Sequence, residues 1–310
     1  MWSSSHIRNP LARSLYMQAV RQAEIEEELR DTRYEEWYTC DVSLLSETLQ
    51  PKYLPLHFDT ETEEFLQGSR EKSDWVFTQI FHSVVSTLLS MFVSVTSING
   101  WLGRGSMFVF SQQHFYKLMR IAPGWQAERL LDLGAGDGNV TRIMSGHFQE
   151  VFVTEQSPPM RERLQERGYR LLDIEEWPTP QSGLTYDLIS CLNLLDRCDK
   201  PRSVLEDIRR SLSPDGHLIL AVVLPFSPCV ESGSKLVDPS EVLPVEGKGW
   251  ELQANSFVEQ VLTPSGFEVE TFSRLPYLCE GDLYHPYYIL HDAVFVLRPT
   301  EVETQQENRV

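Results

Sequence analysis

The amino-acid sequence predicts an α/β fold in which a mostly parallel sheet carries helices on both faces. Strand and helix patterns alternate from Arg129 onward, and this alternation is typical of parallel sheets. A glycine-rich turn joins the first strand of the series to a helix, and a carboxylate ends the next strand. The chain of 310 residues is long enough to bury a full core.

The individual elements follow from short apolar runs, helical periodicity and turn residues. We expect seven strands, at residues 129–133, 151–155, 169–173, 186–191, 217–224, 267–275 and 293–298. Helices are expected near residues 138–146, 159–167, 201–212 and 255–265. Pro201 begins the third helix, and a Ser-Pro-Asp-Gly turn follows it. A long aromatic connection is expected between the last two strands.

The region before this series is expected to be a polar arm with a helical extension, residues 1–74. Residues 23–38 are densely charged, which is typical of a solvated helix or a disordered lead-in. Residues 75–95 carry no charge and match a bilayer in length, but polar residues interrupt them and the apolar residues recur at steps of three and four. We therefore favour an amphipathic helix over a membrane span. A catalytic domain over residues 75–299 and a polar tail over 300–310 complete the expected organisation.

The charge balance narrows the class of partner. The sequence has 27 basic and 45 acidic residues, a net charge of −18. Such a chain repels phosphate backbones and anionic membrane surfaces, so we expect no nucleic-acid partner. Its five cysteines are scattered and include no C-x-x-C pair, and no His or acid pattern completes a metal site. No metal is therefore predicted.

The glycine turn is the strongest motif of the sequence. Residues 130–138 read LLDLGAGDG, with Gly134 and Gly136 at the turn and Asp132 just before it. Such a turn lets a ligand approach the backbone and the start of the helix. Two acids beside the turn (Asp132 and Asp137) disfavour a pyrophosphate and suit a ligand with a cationic amino-acid end. The alternative is a tight strand–helix turn without a ligand.

Two further features follow the glycine turn in order. Glu155 ends the second strand, where a carboxylate can accept both hydroxyls of a ribose, although such an acid is often just a solvated strand end. The acidic and apolar stretch 173–177 follows the third strand. In this order the features resemble the class I S-adenosylmethionine-dependent methyltransferases. The resemblance implies S-adenosylmethionine as cofactor and places Ile174 and its neighbours beside the adenine.

The fourth strand continues into a polar loop. Asn193 and Asp196 lie in this loop, and ligands of open α/β sheets bind at the carboxyl ends of the strands. We expect the two side chains to face the methyl donor, one as a neutral amide and one as a carboxylate. Asp196 is equally suited to capping the helix that begins at Pro201. The residues by themselves leave these two roles open.

Five ordered segments make the resemblance more specific, since together they look like the DREV-type methyltransferase-like family. The segments are residues 99–110 (NGWLGRGSMFVF), 130–138 (LLDLGAGDG), 190–198 (SCLNLLDRC), 275–282 (LPYLCEGD) and 292–299 (DAVFVLRP). The similarity covers about residues 75–299. It implies a protein-histidine N-pros-methyltransferase acting on His-x-His sequences with a small residue between the histidines.

The resemblance also implies roles for particular residues. Glu155 and Asn193 would hold the cofactor, with Asn193 also near the reacting atoms. Asp196 and Tyr277 would act around the target imidazole, and Tyr277 would also touch the cofactor. Tyr288 is a further pocket residue. For both tyrosines the alternative is core packing with a hydrogen-bonded hydroxyl.

The loop of residues 99–106 contains three glycines around Arg104, which suggests close approach to a ligand. Arg104 and Ser106 are therefore candidate substrate contacts. A plain turn that ends a helix explains the same pattern.

Other activities and locations stay open at this stage. The site would equally suit a class I methyltransferase acting on another side chain or a small molecule, or a cofactor-binding module without catalysis. Family members can carry an apolar N-terminal segment, and none is visible here. The family implies the endoplasmic reticulum or the mitochondrion, and the sequence otherwise suggests the cytoplasm.

Overall fold

The computed structural model describes residues 32–73, 105–178, 184–232, 235–281 and 285–300. The chain divides into two compact units, Met1–Glu36 and Trp37–Val310. The elements below belong to the second unit, apart from a 3₁₀ turn over Tyr34–Tyr38 that begins in the first. The helix predicted over residues 75–95 and most of the loop at 99–106 lie outside the described residues.

The second unit contains an eight-stranded sheet and a separate two-stranded one. The strands are β1 (Met107–Phe108), β2 (Ala127–Leu133), β3 (Phe148–Thr154), β4 (Arg170–Leu172), β5 (Tyr186–Leu192), β6 (Leu212–Val223), β7 (Val230–Ser232), β8 (Lys235–Val237), β9 (Phe267–Glu280) and β10 (Tyr287–Pro299). The helices are α1 (Thr60–Ser73), α2 (Gln112–Met119), α3 (Asn139–Ser145), α4 (Pro158–Glu166), α5 (Pro201–Ser211) and α6 (Trp250–Phe257), and a π-helical turn over Val258–Leu262 continues α6.

The large sheet confirms the predicted fold class. Its strand order is β1-β9-β10-β6-β5-β2-β3-β4, with parallel pairing from β6 through β4 and antiparallel pairing among β6, β10, β9 and β1. The predicted count of seven strands was low by one. The extra strand, β1, has only two residues, which is too short for an alternating pattern to be recognised. It pairs with the end of β9, where Met107 lies opposite Cys279.

The long aromatic connection was predicted wrongly. Strands β9 and β10 run on past their expected ends and pair from Phe267 opposite Pro299 to Glu280 opposite Tyr287. Only residues 281–286 connect them. Prolines and histidines break the alternating pattern here, but ladder hydrogen bonds between the two strands satisfy the backbone. This extension carries Tyr277 and Asp292 to the end of the sheet where the parallel strands finish.

Each face of the sheet is covered by helices and has its own core. Helices α5 and α6 cover one face, where Leu205 and Phe257 pack with β-strand residues such as Ile189. Helices α2 and α3 cover the other, where Phe115 and Met144 pack with the opposite face of the same strands. Segments before residue 74 enter both cores through the buried leucines Leu45, Leu49 and Leu56. Within the described ranges, no helix has the length and apolar character needed to cross a membrane.

Candidate active site

The glycine turn between β2 and α3 is fastened to the end of β3. Gly134 and Gly136 adopt left-handed backbone angles (φ of 70° and 56°) that favour glycine. The Gly134 N–H donates to Thr154 Oγ1 at 3.1 Å, and the Gly136 N–H donates to Glu155 Oε2 at 3.0 Å. Side chains at the end of β3 therefore set the shape of the turn.

Asp132 lies beneath the turn and is almost fully buried. Ser190 Oγ donates to its Oδ1 and Thr141 Oγ1 donates to its Oδ2, both at 2.5 Å. Burial raises the pKa of Asp132 to about 6, and the two hydroxyl donors oppose this rise. Both carboxylate oxygens thus tie the turn to α3 and β5. The sequence placed Asp132 at the cofactor, and its contacts show how it supports the cofactor turn.

Glu155 connects the turn to a neighbouring cleft. Its Oε1 accepts the Ser157 N–H at 2.8 Å, while Oε2 holds Gly136. The cleft has a volume of about 490 Å³, and Asp173 and Ile174 line it together with Glu155. The structure therefore brings together the two residues that the sequence assigned to ribose and adenine. One lone pair on each Glu155 oxygen remains to accept hydroxyl groups.

A second polar group lies where β5 ends. Asn193 adopts a left-handed conformation (φ 53°), and its N–H donates to the Ala221 carbonyl at 3.0 Å. Its side-chain Nδ2 donates to Asp292 Oδ2 at 2.8 Å. A non-glycine residue with a positive φ next to a candidate site is a feature associated with function. The backbone turn at Asn193 accompanies an amide directed towards Asp292 within β10.

Asp196 is buried three residues further along the loop. Its Oδ2 pairs with Arg197 Nε at 3.2 Å, and its backbone carbonyl accepts the Cys229 N–H at 2.9 Å. Burial raises the pKa of Asp196, and the Arg197 guanidinium opposes this rise. Asp196 does not cap α5, because Lys200 occupies the N-cap position and no side chain caps that helix. The capping role considered from the sequence is therefore wrong.

Tyr277 and Ser106 lie near this region, at the β1 side of the sheet. The Tyr277 hydroxyl donates to Met107 Sδ, and burial raises the pKa of Tyr277 well above its usual range. Ser106 Oγ accepts Asn139 Nδ2 at 2.5 Å, which links β1 to the start of α3. Ser106 N–H also donates to Glu280.

The remaining two candidate substrate contacts are less tied to the site. Tyr288 is 42% exposed and lies opposite Cys279 on the same sheet face as Tyr277. Its ring meets His285 edge to face, with centroids 5.3 Å apart. Arg104 lies outside the described residues.

The sequence reasoning missed Asp292. This residue is fully buried at the start of the apolar part of β10, and burial together with the nearby Asp196 raises its pKa well above the usual range. An acid that directly precedes the apolar residues 293–297 was the available signal. Because β10 starts earlier than expected, Asp292 lies within the ladder, opposite Leu275 and Val223.

The loop and β10 share an unusual property. Among the buried side-chain atoms without a hydrogen-bond partner in the described residues, the carboxylate and amide oxygens are Asn193 Oδ1, Asp196 Oδ1 and Asp292 Oδ1; the other oxygens are hydroxyls outside this loop and β10. Buried polar atoms are nearly always paired, so orphaned acceptors at one site indicate a ligand that brings N–H groups. The cationic amino end of S-adenosylmethionine fits the acceptor Asn193 Oδ1 in this group. Within the described parts of the chain, no group of three or more His, Cys, Asp or Glu side chains could hold a metal ion.

The sheet order, the glycine turn after its first parallel strand and the acid after the second define a class I, S-adenosylmethionine-dependent methyltransferase. Within this class, the DREV methyltransferase family model matches residues 37–299. The chain belongs to the DREV methyltransferase family.

Other relatives are more distant. The ubiquinone biosynthesis O-methyltransferase of Acinetobacter baumannii is 22% identical over 111 residues, which are 33% of this chain and 46% of that protein. The highly reducing polyketide synthase aurA of Calcarisporium arbuscula is 30% identical over 105 residues, 29% of this chain and 4% of that protein. The matches thus span less than half the length of these curated relatives.

The chain is also similar to solved structures, at low sequence identity. YcgJ from Bacillus subtilis has a TM-score of 0.41 and 15% identity, covering 61% of this chain and 100% of that one. The N-methyltransferase NodS from Bradyrhizobium japonicum, solved with S-adenosyl-L-homocysteine, has a TM-score of 0.36 and 15% identity, covering 57% of this chain and 80% of that one.

Proposed function

We propose that this chain is a protein-histidine methyltransferase that modifies the pros nitrogen of histidine in His-x-His sequences with a small central residue. The observation that carries the proposal is the buried Asp196 Oδ1 in the loop after β5, an acceptor without a partner among the residues that the structure describes. Membership of the DREV methyltransferase family supports methyl transfer, and the resemblance of its ordered motifs supports histidine as the target.

In this proposal the glycine turn and Glu155 hold the cofactor. The free lone pairs of Glu155 accept the ribose hydroxyls, and Ile174, in the same cleft, lies against the adenine. Asn193 Oδ1 accepts an N–H of the amino end, and Tyr277 contacts the cofactor from β9. When bound, S-adenosylmethionine supplies an electrophilic methyl group on its sulfonium.

Asp196 selects the reactive nitrogen of the target. A histidine with a pKa of about 6.5 is mostly neutral at pH 7, so a strong general base is not required. If Asp196 Oδ1 accepts the N–H of the distal (tele) nitrogen, the near (pros) nitrogen presents its lone pair to the methyl group. The carboxylate then stabilises the imidazolium that develops, and alignment lowers the barrier further. The ion pair with Arg197 favours the ionised form of Asp196 that this role needs.

The aromatic and loop residues complete the proposed peptide site. The raised pKa of Tyr277 keeps its hydroxyl protonated at neutral pH, so the O–H stays on Met107 Sδ and the phenol oxygen is an acceptor beside the target imidazole. Tyr288 offers an exposed ring on the same face for the peptide. Ser106 and Arg104 are proposed to contact the peptide from the loop before β1.

An Asp196→Asn variant tests this proposal. We expect methylation of a His-x-His peptide to fall by about 10²-fold or more, because an amide cannot hold the tautomer or stabilise the cation as a carboxylate does. Binding of S-adenosylhomocysteine, measured by calorimetry, should stay within about threefold of wild type. The assay is mass spectrometry that separates the two methylhistidine isomers.

Asp199→Asn is the matched control, since this exposed acid lies three residues away and bonds to Ser240 instead. It should methylate like the wild type. Normal activity of Asp196→Asn would refute the assigned role. A wild-type product on another side chain, or on a small molecule, would identify a different class I methyltransferase. Cofactor binding without transfer to any peptide would point to a binding module.

A further inference from the structure

The pairing between Asn193 and Asp292 fixes which end of an amide the site presents. Asp292 lies on β10 between the cross-strand neighbours Leu275 and Val223, and it is completely buried. Its Oδ2 accepts the Asn193 Nδ2–H at 2.8 Å. The two residues are 99 positions apart in the sequence, so the fold alone creates this contact.

One N–H of the Asn193 amide is thereby paired with Asp292, and the amide oxygen points elsewhere. Asn193 Oδ1 is buried and has no partner among the described residues. The backbone of Asn193 is already held by its hydrogen bond to Ala221. The remaining freedom of the side chain is rotation of the amide, which would exchange an acceptor for a donor at the same place. Asp292 is the group that opposes this exchange.

Packing does not account for an acid at this position. A carboxyl group at a fully buried strand position costs free energy relative to an apolar side chain of similar size. Asp196 lies close enough to raise the pKa of Asp292 further, so the neighbourhood adds repulsion to desolvation. The favourable contact that offsets these costs in the described part of the chain is the bond from Asn193.

We propose that Asp292 is a positioning residue that orients the Asn193 amide so that its oxygen faces an N–H-bearing, cationic ligand, the amino end of the methyl donor. The inference extends the proposed function, since it concerns the same site. Asp292 acts through Asn193 and touches neither the donor nor the peptide.

A leucine substitution and an exchange of the two side chains test the proposal. Asp292→Leu removes the acceptor and adds some volume at a buried position, so the amide loses its fixed orientation and the melting temperature must be compared with that of the wild type. The double variant Asn193→Asp with Asp292→Asn restores the bond with donor and acceptor exchanged. A carboxylate at 193 only accepts, so the amide at 292 must donate to it, and an oxygen again faces the ligand. We expect S-adenosylhomocysteine binding to weaken about tenfold or more in the first variant and to recover to within about threefold in the second.

The control is Asp187→Asn, an acid-to-amide change at the opposite end of β5, where Asp187 accepts the backbone N–H groups of Glu128 and Arg129. It should bind S-adenosylhomocysteine like the wild type. Melting temperatures are measured for every variant, and the proposal requires weak binding by Asp292→Leu without a matching loss of melting temperature. Loss of binding that follows the melting temperature, in either variant, would overturn it.

A second titration separates the two sources of an N–H ligand. A His-x-His peptide is added to each variant saturated with S-adenosylhomocysteine. If Asp292→Leu binds S-adenosylhomocysteine more weakly but binds the peptide with unchanged affinity, the donor is supported as the ligand of Asn193. Weakening of peptide affinity alone, wild-type affinity in Asp292→Leu, or an exchanged variant as weak as the leucine variant would each overturn the proposal. If the wild type methylates no histidine but the binding pattern holds, the proposed function fails and this inference stands.

Discussion

At the scale of single residues, Asp132 couples the cofactor turn to pH. Its pKa is about 6 in the folded chain, against 3.8 for an unburied aspartate, because desolvation outweighs the hydrogen bonds from Ser190 and Thr141. The folded state therefore holds this proton more tightly than the unfolded state. The stabilisation is fully present below pH 3.8 and is lost as the pH rises through about 6.

We therefore predict a specific pH dependence for an Asp132→Asn variant. Between pH 4 and pH 7 the free energy of unfolding of the wild type should fall relative to the variant by up to roughly 3 kcal/mol, since one pKa unit corresponds to about 1.4 kcal/mol. Denaturant titrations at several pH values measure it. Ser190→Ala should move the change to higher pH, because it removes a donor that lowers the pKa. If the free energy of unfolding varied with pH in the same way for wild type and Asp132→Asn, this account would be contradicted.

Three acids that resemble one another in the sequence have different roles in the structure. Both carboxylate oxygens of Asp132 accept hydrogen bonds from protein hydroxyls. Asp196 and Asp292 each have one buried oxygen without a partner among the described residues. In the two proposals above, Asp196 uses its unpartnered oxygen to meet the target imidazole, whereas Asp292 acts only through its bond with Asn193. The sequence identified Asp132 and Asp196 because each follows or ends a strand, but it could not distinguish a supporting acid from a binding acid.

At the scale of elements, the glycines of the turn between β2 and α3 are required for two different reasons, packing and backbone conformation. A Cβ on Gly138 would lie 2.8 Å from the Cδ2 atom of the buried Leu164, whereas a Cβ on Gly136 would meet no atom within 4 Å. Both glycines have positive φ angles. Gly138 is therefore required by packing against α4 as well as by the backbone, and Gly136 by the backbone and the proposed cofactor.

A pair of alanine variants separates these requirements. Gly138→Ala should lower the free energy of unfolding by about 2–4 kcal/mol, from left-handed strain plus overpacking. Gly136→Ala should lower it by only about 1–2 kcal/mol, yet weaken S-adenosylhomocysteine binding more than Gly138→Ala at a temperature where both are folded. Denaturant titration and calorimetry provide the two measurements. Equal stability losses would refute the packing role of Gly138.

The extended β9–β10 pair is the element that the sequence described least well. Its outer half places Tyr277, Asp292 and Tyr288 on one sheet face, since they occupy matching positions in the ladder. Aromatic and proline residues hide the strand period there. The candidate site therefore has two parts. Local motifs predict the glycine turn, Glu155 and the loop after β5, whereas the residues of β9 and β10 depend on strand register.

At the scale of the whole molecule, residues 37–73 belong to the folded core of the second unit. Leu45, Leu49, Leu56 and Leu66 are nearly fully buried, and the Leu54 N–H donates to the Phe272 carbonyl in β9 at 2.8 Å. Burying four leucines contributes about 6–12 kcal/mol, which is comparable to the total stability of a domain. The family match also begins at residue 37.

We predict that a chain starting at Trp75 does not fold cooperatively, because it exposes the surfaces that these leucines cover. A chain starting at Trp37 retains all four and should melt within a few degrees of the full chain. Circular dichroism melts and size-exclusion chromatography compare the three. A cooperative melt of the shorter chain near the full-length temperature would show that residues 37–74 are dispensable.

The net charge of −18 also acts on the whole molecule. It disfavours phosphate backbones as ligands and is compatible with histidine-rich, partly cationic peptides. The charge does not by itself identify histidine as the target. The proposal of histidine rests on the ordered motifs.

The sequence by itself determined the parallel sheet, the glycine turn, Glu155 and the polar loop after β5. These depend on periodicity and turn chemistry over a few neighbouring residues. Only the tertiary structure decided that Asp132 is held by Ser190, 58 positions away, and that Asp292 accepts a hydrogen bond from Asn193. Such contacts depend on strand order and register, which a short sequence pattern does not specify. Strand register therefore decides which side chain each of these buried acids meets.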